Sequence, residues 1–184
     1  MKNKYIKDIN NFTESEKDNI IFYHGTRGIF PFSKFNSKMI GTGMVSNGKK
    51  YGGFFFTSDK RNSEYYSEFF VCKVKIKNIN VSDKIKHPSV VLKKAINNGK
   101  NYIINNILDG AFVSNIVVVP KDNIEDINII EWEFIGDKET LFEEYNKIFG
   151  DDENFVLKDM VDDVLDMIDI NINYMLNIPI FKKY

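Results

Sequence analysis

The sequence predicts an α+β fold, and three observations support this. Apolar runs rich in Ile, Val and Phe, typical of strands, recur along residues 1–137. Between them lie stretches with helical spacing, the clearest over residues 89–108, which has a break near Asn97, Asn98 and Gly99. The 184 residues include 16 Phe and 9 Tyr, and 43% of all residues are hydrophobic. That is enough apolar material for a packed core.

The strand candidates are separated by turn and loop signals. The first one ends at His-Gly-Thr, residues 24–26, and the second ends at Thr57 and Ser58, which can cap a short helix that runs to Tyr66. Residues 41–53 are rich in Gly, Ser and Asn and predict a mobile loop. The predicted strands are Ile20–Tyr23, Phe54–Phe56, 69–76, Ala111–Val113, Ile116–Val119 and Ile127–Ile135.

The C-terminal part has a different pattern, and we expect residues 138–184 to form a helical extension packed on a domain of residues 1–137. Apolar residues recur there at helical spacing, and aspartates line the other side. Solvation is the common fate of such an acidic face, and a docking surface for a basic partner is the alternative. The apolar positions are Leu157, Met160, Val161, Val164, Leu165 and Ile168.

Charge and cysteine content narrow the function classes. The formal net charge is -1, from 25 basic and 26 acidic residues, so no global field favours nucleic acid or an acidic membrane. The single cysteine, Cys72, excludes a disulfide framework and is predicted to be a small buried hydrophobe. No zinc-ligand spacing and no membrane-spanning run occur, so we expect a cytoplasmic protein without a bound metal.

His24 is the first candidate for chemistry. The sequence has two histidines, and the other one, His87, precedes a proline and reads as a loop residue. His24 lies where a strand ends, a place where a scaffold presents side chains to a cleft. Gly25 lets a ligand approach the backbone closely, and Thr26 offers a hydroxyl. A structural histidine is an equally good interpretation of these residues taken alone.

The second candidate is the run Gly-Gly-Phe-Phe-Phe-Thr-Ser at 52–58, followed by Ser-Glu-Tyr-Tyr at 63–66. An aromatic ring from the strand and another from the helix can face each other and form a slot for a flat ring. An ordinary aromatic core is the commoner outcome of such a pattern when it stands alone.

Taken in order, the two motifs resemble the ADP-ribosyltransferases of the diphtheria-toxin and poly(ADP-ribose) polymerase type. Phage and bacterial relatives of that superfamily look closer still. The resemblance covers roughly residues 20–135 and includes the spacing from Phe55 to Tyr66. It implies two packed, mainly antiparallel sheets with flanking helices. It also implies that NAD binds as a substrate in a cleft.

The resemblance further implies roles for the first motif. His24 matches the histidine that hydrogen-bonds the NAD ribose. Gly25 matches the residue whose backbone holds the nicotinamide amide, and Thr26 matches the hydroxyl that reaches the adenosine ribose. Arg27 completes the motif and belongs to the same NAD-binding set. Lys49 or Lys50, in the place of the family's donor loop, could meet the pyrophosphate, although solvated loop lysines are commoner.

The second motif carries the stacking residues that the resemblance implies. Phe55 falls on the position of the usual strand tyrosine. Phenylalanine keeps the aromatic ring but lacks the tyrosine hydroxyl. Ser63 matches a hydroxyl that contacts the carboxamide. Tyr66 matches the aromatic residue that stacks on nicotinamide.

The third catalytic element of the family is usually a glutamate, and two placements are open. By register along residues 114–134, Asn115 falls on that position, and we favour this placement. Alternatively, the carboxylate comes from Glu131 or Glu133, which point to one face because they alternate with Trp132. Asparagine forms hydrogen bonds but carries no charge, so poly-chain elongation is not expected.

These features predict a mono-ADP-ribosyltransferase that modifies a macromolecule. A protein acceptor is favoured over nucleic acid because the net charge is near zero. The resemblance to this superfamily suggests a toxin or a phage factor that acts against a host system. The alternative is a non-catalytic binding or inhibitor module that acts through a protein partner. A plain NAD glycohydrolase, with water as the acceptor, is a third and weaker hypothesis.

Overall fold

The computed structural model describes residues 19–29, 31–40, 52–82, 87–109 and 112–149. Their regular elements are seven strands, three α-helices and two 3-10 helices at Ser37–Met39 and Lys121–Asp126. The strands are β1 (Phe22–Thr26), β2 (Gly53–Thr57), β3 (Phe70–Ile76), β4 (Ile79–Val81), β5 (Asn101–Asp109), β6 (Phe112–Pro120) and β7 (Ile127–Phe134). The α-helices are α1 (Lys60–Tyr65), α2 (Pro88–Asn98) and α3 (Lys138–Phe149).

The described strands form one sheet in the order β4-β5-β6-β2-β1-β3-β7. All neighbours are antiparallel except β4 and β5. The α+β class is therefore confirmed. The expected division into two packed sheets is not what these strands form, because β1 and β2 join the two halves. That join is narrow, since a single registered pair, Tyr23 with Thr57, connects β1 to β2.

The strand register sorts the side chains onto two faces of the sheet. One face carries α1 and α2, and its core contains Val91 and Leu92 of α2 packed on Val118 of β6. The opposite face is covered by α3 and by the segment after β1, which we call the strap (residues 27–29 and 31–40). The faces are referred to below as the helix face and the strap face.

The helix predicted from the spacing over residues 89–108 is wrong in its second half, which forms a strand. The helix α2 ends at Asn98, and Gly99 follows in the left-handed region with φ of 59°. Such a residue terminates a helix because it takes the chain out of the right-handed path. Strand β5 starts at Asn101, where aromatic and β-branched residues fit a pleated, half-buried surface.

Three further boundaries differ from the sequence prediction. Phe112 and Val113 of the predicted strand Ala111–Val113 belong to the same strand, β6, as the predicted strand Ile116–Val119, and Ala111 lies outside the described residues. Strand β6 pairs with β5 along most of its length. His24 to Thr26 lie inside β1 instead of following it. The cap of α1 is Asp59, whose side chain accepts from the Arg61 N–H.

Helix α3 belongs to the same core as the sheet. Its Leu141 and Tyr145 are fully buried against the strap face, so the chain from Lys138 to Phe149 is packed on the domain. The predicted acidic helix over residues 157–169 lies outside the described residues. No helix in the described ranges is both long and apolar enough to cross a membrane. Cys72 is fully buried, as predicted, and burial raises the pKa of its thiol well above the ordinary value.

Candidate functional site

The candidate site is the place where β1 and β2 separate. After the pair Tyr23–Thr57, β1 keeps its regular pairing with β3 through Thr26 but makes no further registered pair with β2. Successive residues of a strand turn their N–H and C=O groups to opposite sides. The main-chain groups of Gly25 therefore turn toward β2, as those of Tyr23 do. The two strands are therefore not paired in register at Gly25, and we call this place the gap.

His24 spans this separation with its side chain. Its Nδ1 donates to the carbonyl oxygen of Phe55 at 2.9 Å, which fixes the tautomer, because a carbonyl oxygen can only accept. The imidazole Nε2 is thereby left as an acceptor. Burial lowers the pKa of His24, and the hydrogen bond that it donates to the Phe55 carbonyl opposes this shift to a smaller extent. The site accordingly holds a neutral imidazole that can accept from a hydroxyl.

Three phenylalanine rings surround the imidazole on the strap face. The ring centroids of Phe35 and Phe56 each lie 5.2 Å from that of His24, and the centroid of Phe54 lies at 6.4 Å. Phe35 meets the imidazole edge-on at an interplanar angle of 76°. These contacts restrict the ring to one orientation.

Gly25 is required by α1. A Cβ at this position would lie 2.2 Å from the carbonyl oxygen of Ser63 and 2.5 Å from Oγ of Ser67. The missing side chain therefore makes room for the helix, which fills that space, and not for a ligand as the sequence suggested. The part of Gly25 that faces the gap is its main-chain N–H and C=O.

The rest of the first motif leads into the strap. Thr26 Oγ1 accepts from the Gly28 N–H at 3.0 Å, and its carbonyl accepts from the Glu68 N–H at 3.2 Å. The hydroxyl of Thr26 thus stabilises the turn that follows β1. Arg27 is exposed. Neither observation assigns a ligand contact to these two residues.

Ser63, Phe55 and Tyr66 all belong to the helix-face side of the sheet. Ser63 is buried, and its Oγ donates to the Lys60 carbonyl at 2.6 Å. The half-buried ring of Phe55 packs beside the α2 core. Tyr66 ends α1, and its ring lies edge-on to Tyr65 at 5.2 Å between centroids. The Phe55 ring therefore lies on the face opposite to the His24 ring. The nicotinamide sandwich between Phe55 and Tyr66 stays a prediction.

The two candidates for the third position lie at equal strand distance from His24. Strands β6 and β7 are each two places from β1 in the sheet. The face on which each side chain lies therefore separates Asn115 from the two glutamates.

Asn115 lies on the same face as His24. It alternates along β6 with Val117, which is paired with Phe56, a neighbour of the imidazole. Asn115 is 6% exposed, and its Oδ1 accepts from the Asn106 N–H at 3.0 Å. Asn106 has a positive φ of 55° at the irregularity in β5, so this hydrogen bond holds an unusual backbone conformation.

Glu131 and Glu133 lie on the helix face, where lysines neutralise them. Glu131 pairs with Lys73 at 2.8 Å, and Glu133 forms a short ion pair with Lys60 of α1. Their β3 partners, Lys73 and Val71, stand opposite Tyr23 and Gly25 of β1, which confirms the side. Asn115 therefore lies on the same face of the sheet as the His24 ring, and the two glutamates lie on the other face.

Sequence reasoning missed the residues that support the site. Phe35 contacts His24, and Ser58 binds the main chain of Asn115, with its Oγ accepting from the Asn115 N–H at 2.9 Å. The aromatic spacing of Phe32 and Phe35 was the available signal, but it could not name a partner. Lys49 and Lys50 lie outside the described residues. No group of acidic, histidine or cysteine side chains in the described ranges could hold a metal ion.

Comparison with known proteins adds no family assignment. No family model matches the chain, and neither a curated protein nor a solved structure does. The case for a function therefore rests on the residues and their geometry.

Proposed function

We propose that this chain is an NAD-dependent mono-ADP-ribosyltransferase that modifies a macromolecule in the cytoplasm. The observation that carries the proposal is the separation of β1 from β2 at Gly25, bridged by the imidazole of His24. In this proposal the nicotinamide half of NAD binds at the gap, against main-chain polar groups and a neutral imidazole.

The main chain of Gly25 suits a primary carboxamide. A carboxamide donates through its NH2 group and accepts through its carbonyl oxygen, so it pairs with one C=O and one N–H. Those two groups of Gly25 face the gap together. The same pairing discriminates against a carboxylate, which has no proton to donate to the C=O group.

The imidazole of His24 suits a ribose hydroxyl. Its Nδ1 proton is committed to Phe55, so Nε2 accepts, and a hydroxyl supplies the proton of that hydrogen bond. Transfer breaks the bond between nicotinamide and ribose, and nicotinamide leaves with the bonding electrons. A nucleophile of the acceptor then forms a bond to the anomeric carbon and loses its proton. Positioning and exclusion of water supply much of the rate.

The residue in the third position limits the product. Asn115 lies on the His24 face and carries no charge, whereas the two glutamates are held in ion pairs elsewhere. A neutral amide stabilises an oxocarbenium-like state less than a carboxylate does. We therefore propose transfer of a single ADP-ribose unit and slow turnover, with a protein as the acceptor.

A labelling experiment tests the proposal. Wild-type protein is incubated with NAD labelled in its adenylate part and with bacterial lysate, and label in macromolecules is measured. His24→Ala abolishes the label, and His87→Ala, the matched change at the exposed second histidine, leaves it unchanged. Equal labelling by wild type and His24→Ala would refute the assignment. Free nicotinamide without labelled macromolecule would indicate hydrolysis.

A second experiment separates the two placements of the third position. Asn115→Asp keeps the acceptor oxygen for Asn106 and adds a negative charge on the His24 face. We expect faster nicotinamide release, because the charge favours the developing cation. Glu131→Gln and Glu133→Gln leave the rate unchanged. Loss of activity in either glutamine variant alone would move the third position to β7.

A non-catalytic binding module is the second candidate. It is favoured by one observation: within the described residues no carboxylate contact is found for His24, whose neighbours are Phe35, Phe54 and Phe56. For such a module, neither labelled macromolecule nor free nicotinamide appears. A stable complex with a purified partner then survives His24→Ala.

A further inference from the structure

The strap is attached to the domain by two aromatic donors from distant parts of the chain. Tyr145 of α3 donates its hydroxyl to the Ile29 carbonyl at 2.9 Å. Trp132 of β7 donates its indole N–H to the Phe32 carbonyl at 3.0 Å. Both strap carbonyls belong to a segment without regular backbone pairing, so each depends on a side chain or water for a partner.

The attachment continues through rings to the imidazole. Phe32 packs edge-on against Trp132 at 4.7 Å and against Phe35 at 4.9 Å between centroids. Phe35 in turn packs edge-on against His24 at 5.2 Å. The chain of contacts runs from β7 and α3, across the strap, to the candidate site.

We propose that Tyr145 and Trp132 are positioning residues of the His24 site. They fix the strap at Ile29 and Phe32, and the fixed strap places Phe35 against the imidazole. Helix α3 therefore helps to position the site, which assigns a role to the first part of residues 138–184. The role in NAD binding rests on the proposed function, whereas the anchoring of the strap does not.

Two features make the anchors durable. Tyr145 and Trp132 are almost completely buried, at 0% and 2% exposure, so water competes poorly for either hydrogen bond. Burial raises the pKa of the Tyr145 hydroxyl far above its ordinary value, so the group keeps its proton and remains a donor at any ordinary pH.

The test removes each hydrogen-bond donor by mutation and measures the titration of His24. Tyr145→Phe and Trp132→Phe keep a buried ring and remove the polar hydrogen. The control is Tyr102→Phe, since Tyr102 is also a buried tyrosine, 7% exposed, whose hydroxyl accepts from Asn98 on the helix face. Imidazole resonances are followed by NMR as pH changes, and His87 serves as an internal reference.

Loosening the strap admits water to the imidazole, so we expect the pKa of His24 to rise toward its ordinary value in both anchor variants and not in Tyr102→Phe. Amide exchange in the strap should accelerate about fivefold or more, the ratio expected when a buried carbonyl loses its donor. Binding of NAD, followed by calorimetry, weakens by a similar factor.

Two results would overturn the inference: an unchanged His24 titration in both anchor variants, or an equal change in Tyr102→Phe. If wild-type protein binds no NAD, the proposed function fails. In that case a His24 response confined to the anchor variants still supports the anchoring.

Discussion

Gly25→Ala is the sharpest test of how α1 is positioned on β1. The added methyl group would lie 2.2 Å from the Ser63 carbonyl oxygen, against about 3.3 Å for an ordinary carbon–oxygen contact. The obstacle is a backbone oxygen and cannot rotate away, so α1 must move by about 1 Å. Overpacking of this kind costs about 3 kcal/mol, at the upper end of what extra methylenes cost in well-packed cores.

Urea unfolding measures this loss, and a thermal melt should show a decrease in Tm of about 6 to 12 °C for that free energy. Gly99→Ala is the control, because Gly99 has a positive φ but open space around its missing side chain. We expect Gly99→Ala to lower the free energy of unfolding by about 1 kcal/mol, through backbone strain alone. Equal stability of Gly25→Ala and wild type would refute the packing argument. An equal loss of stability in Gly25→Ala and Gly99→Ala would show that the loss comes from glycine conformation and not from packing.

Three further predictions follow from burial and hydrogen bonding. Burial lowers the pKa of His24 below its ordinary 6.5, so the unfolded chain binds more protons as pH falls. The free energy of unfolding should therefore decrease as the pH falls below about 6.5, and His24→Gln should flatten this decrease in urea titrations. Asn115→Leu should cost about 1 to 3 kcal/mol, because the Asn106 N–H loses its acceptor; Asn115→Asp should cost less. The Cys72 thiol should react with a disulfide reagent only at the rate of unfolding, and rapid reaction of native protein would contradict its burial.

The strands that carry the site could be predicted because the local pattern of apolar residues is enough to indicate a strand. Phe54–Phe56 lies within β2, and the run at residues 69–76 begins one residue before β3. The region Asn101–Asp109 was mistaken for helix, because its apolar residues satisfy helical spacing as well as strand alternation. Gly99, which ends α2, was the residue that separates the two interpretations.

The choice between Asn115 and the two glutamates could not be made from the sequence. Alternation shows that Glu131 and Glu133 share a face, but not which face of the sheet His24 occupies. That depends on the register, because Lys73 and Val71 of β3 are paired both with Tyr23 and Gly25 of β1 and with the two glutamates of β7. The lysines that neutralise the glutamates come from residues 58 and 73 positions away.

The sequence alone predicted the α+β class and the burial of Cys72, and the structure confirms both. Periodicity and local turn chemistry encode such properties within a few residues. Tertiary structure decided that β1 separates from β2 at Gly25, that the Phe55 carbonyl fixes the His24 tautomer, and that α3 anchors the strap. The hydrogen bonds that do this join residues 31 and 116 positions apart, and contacts at that separation leave no mark on local pattern.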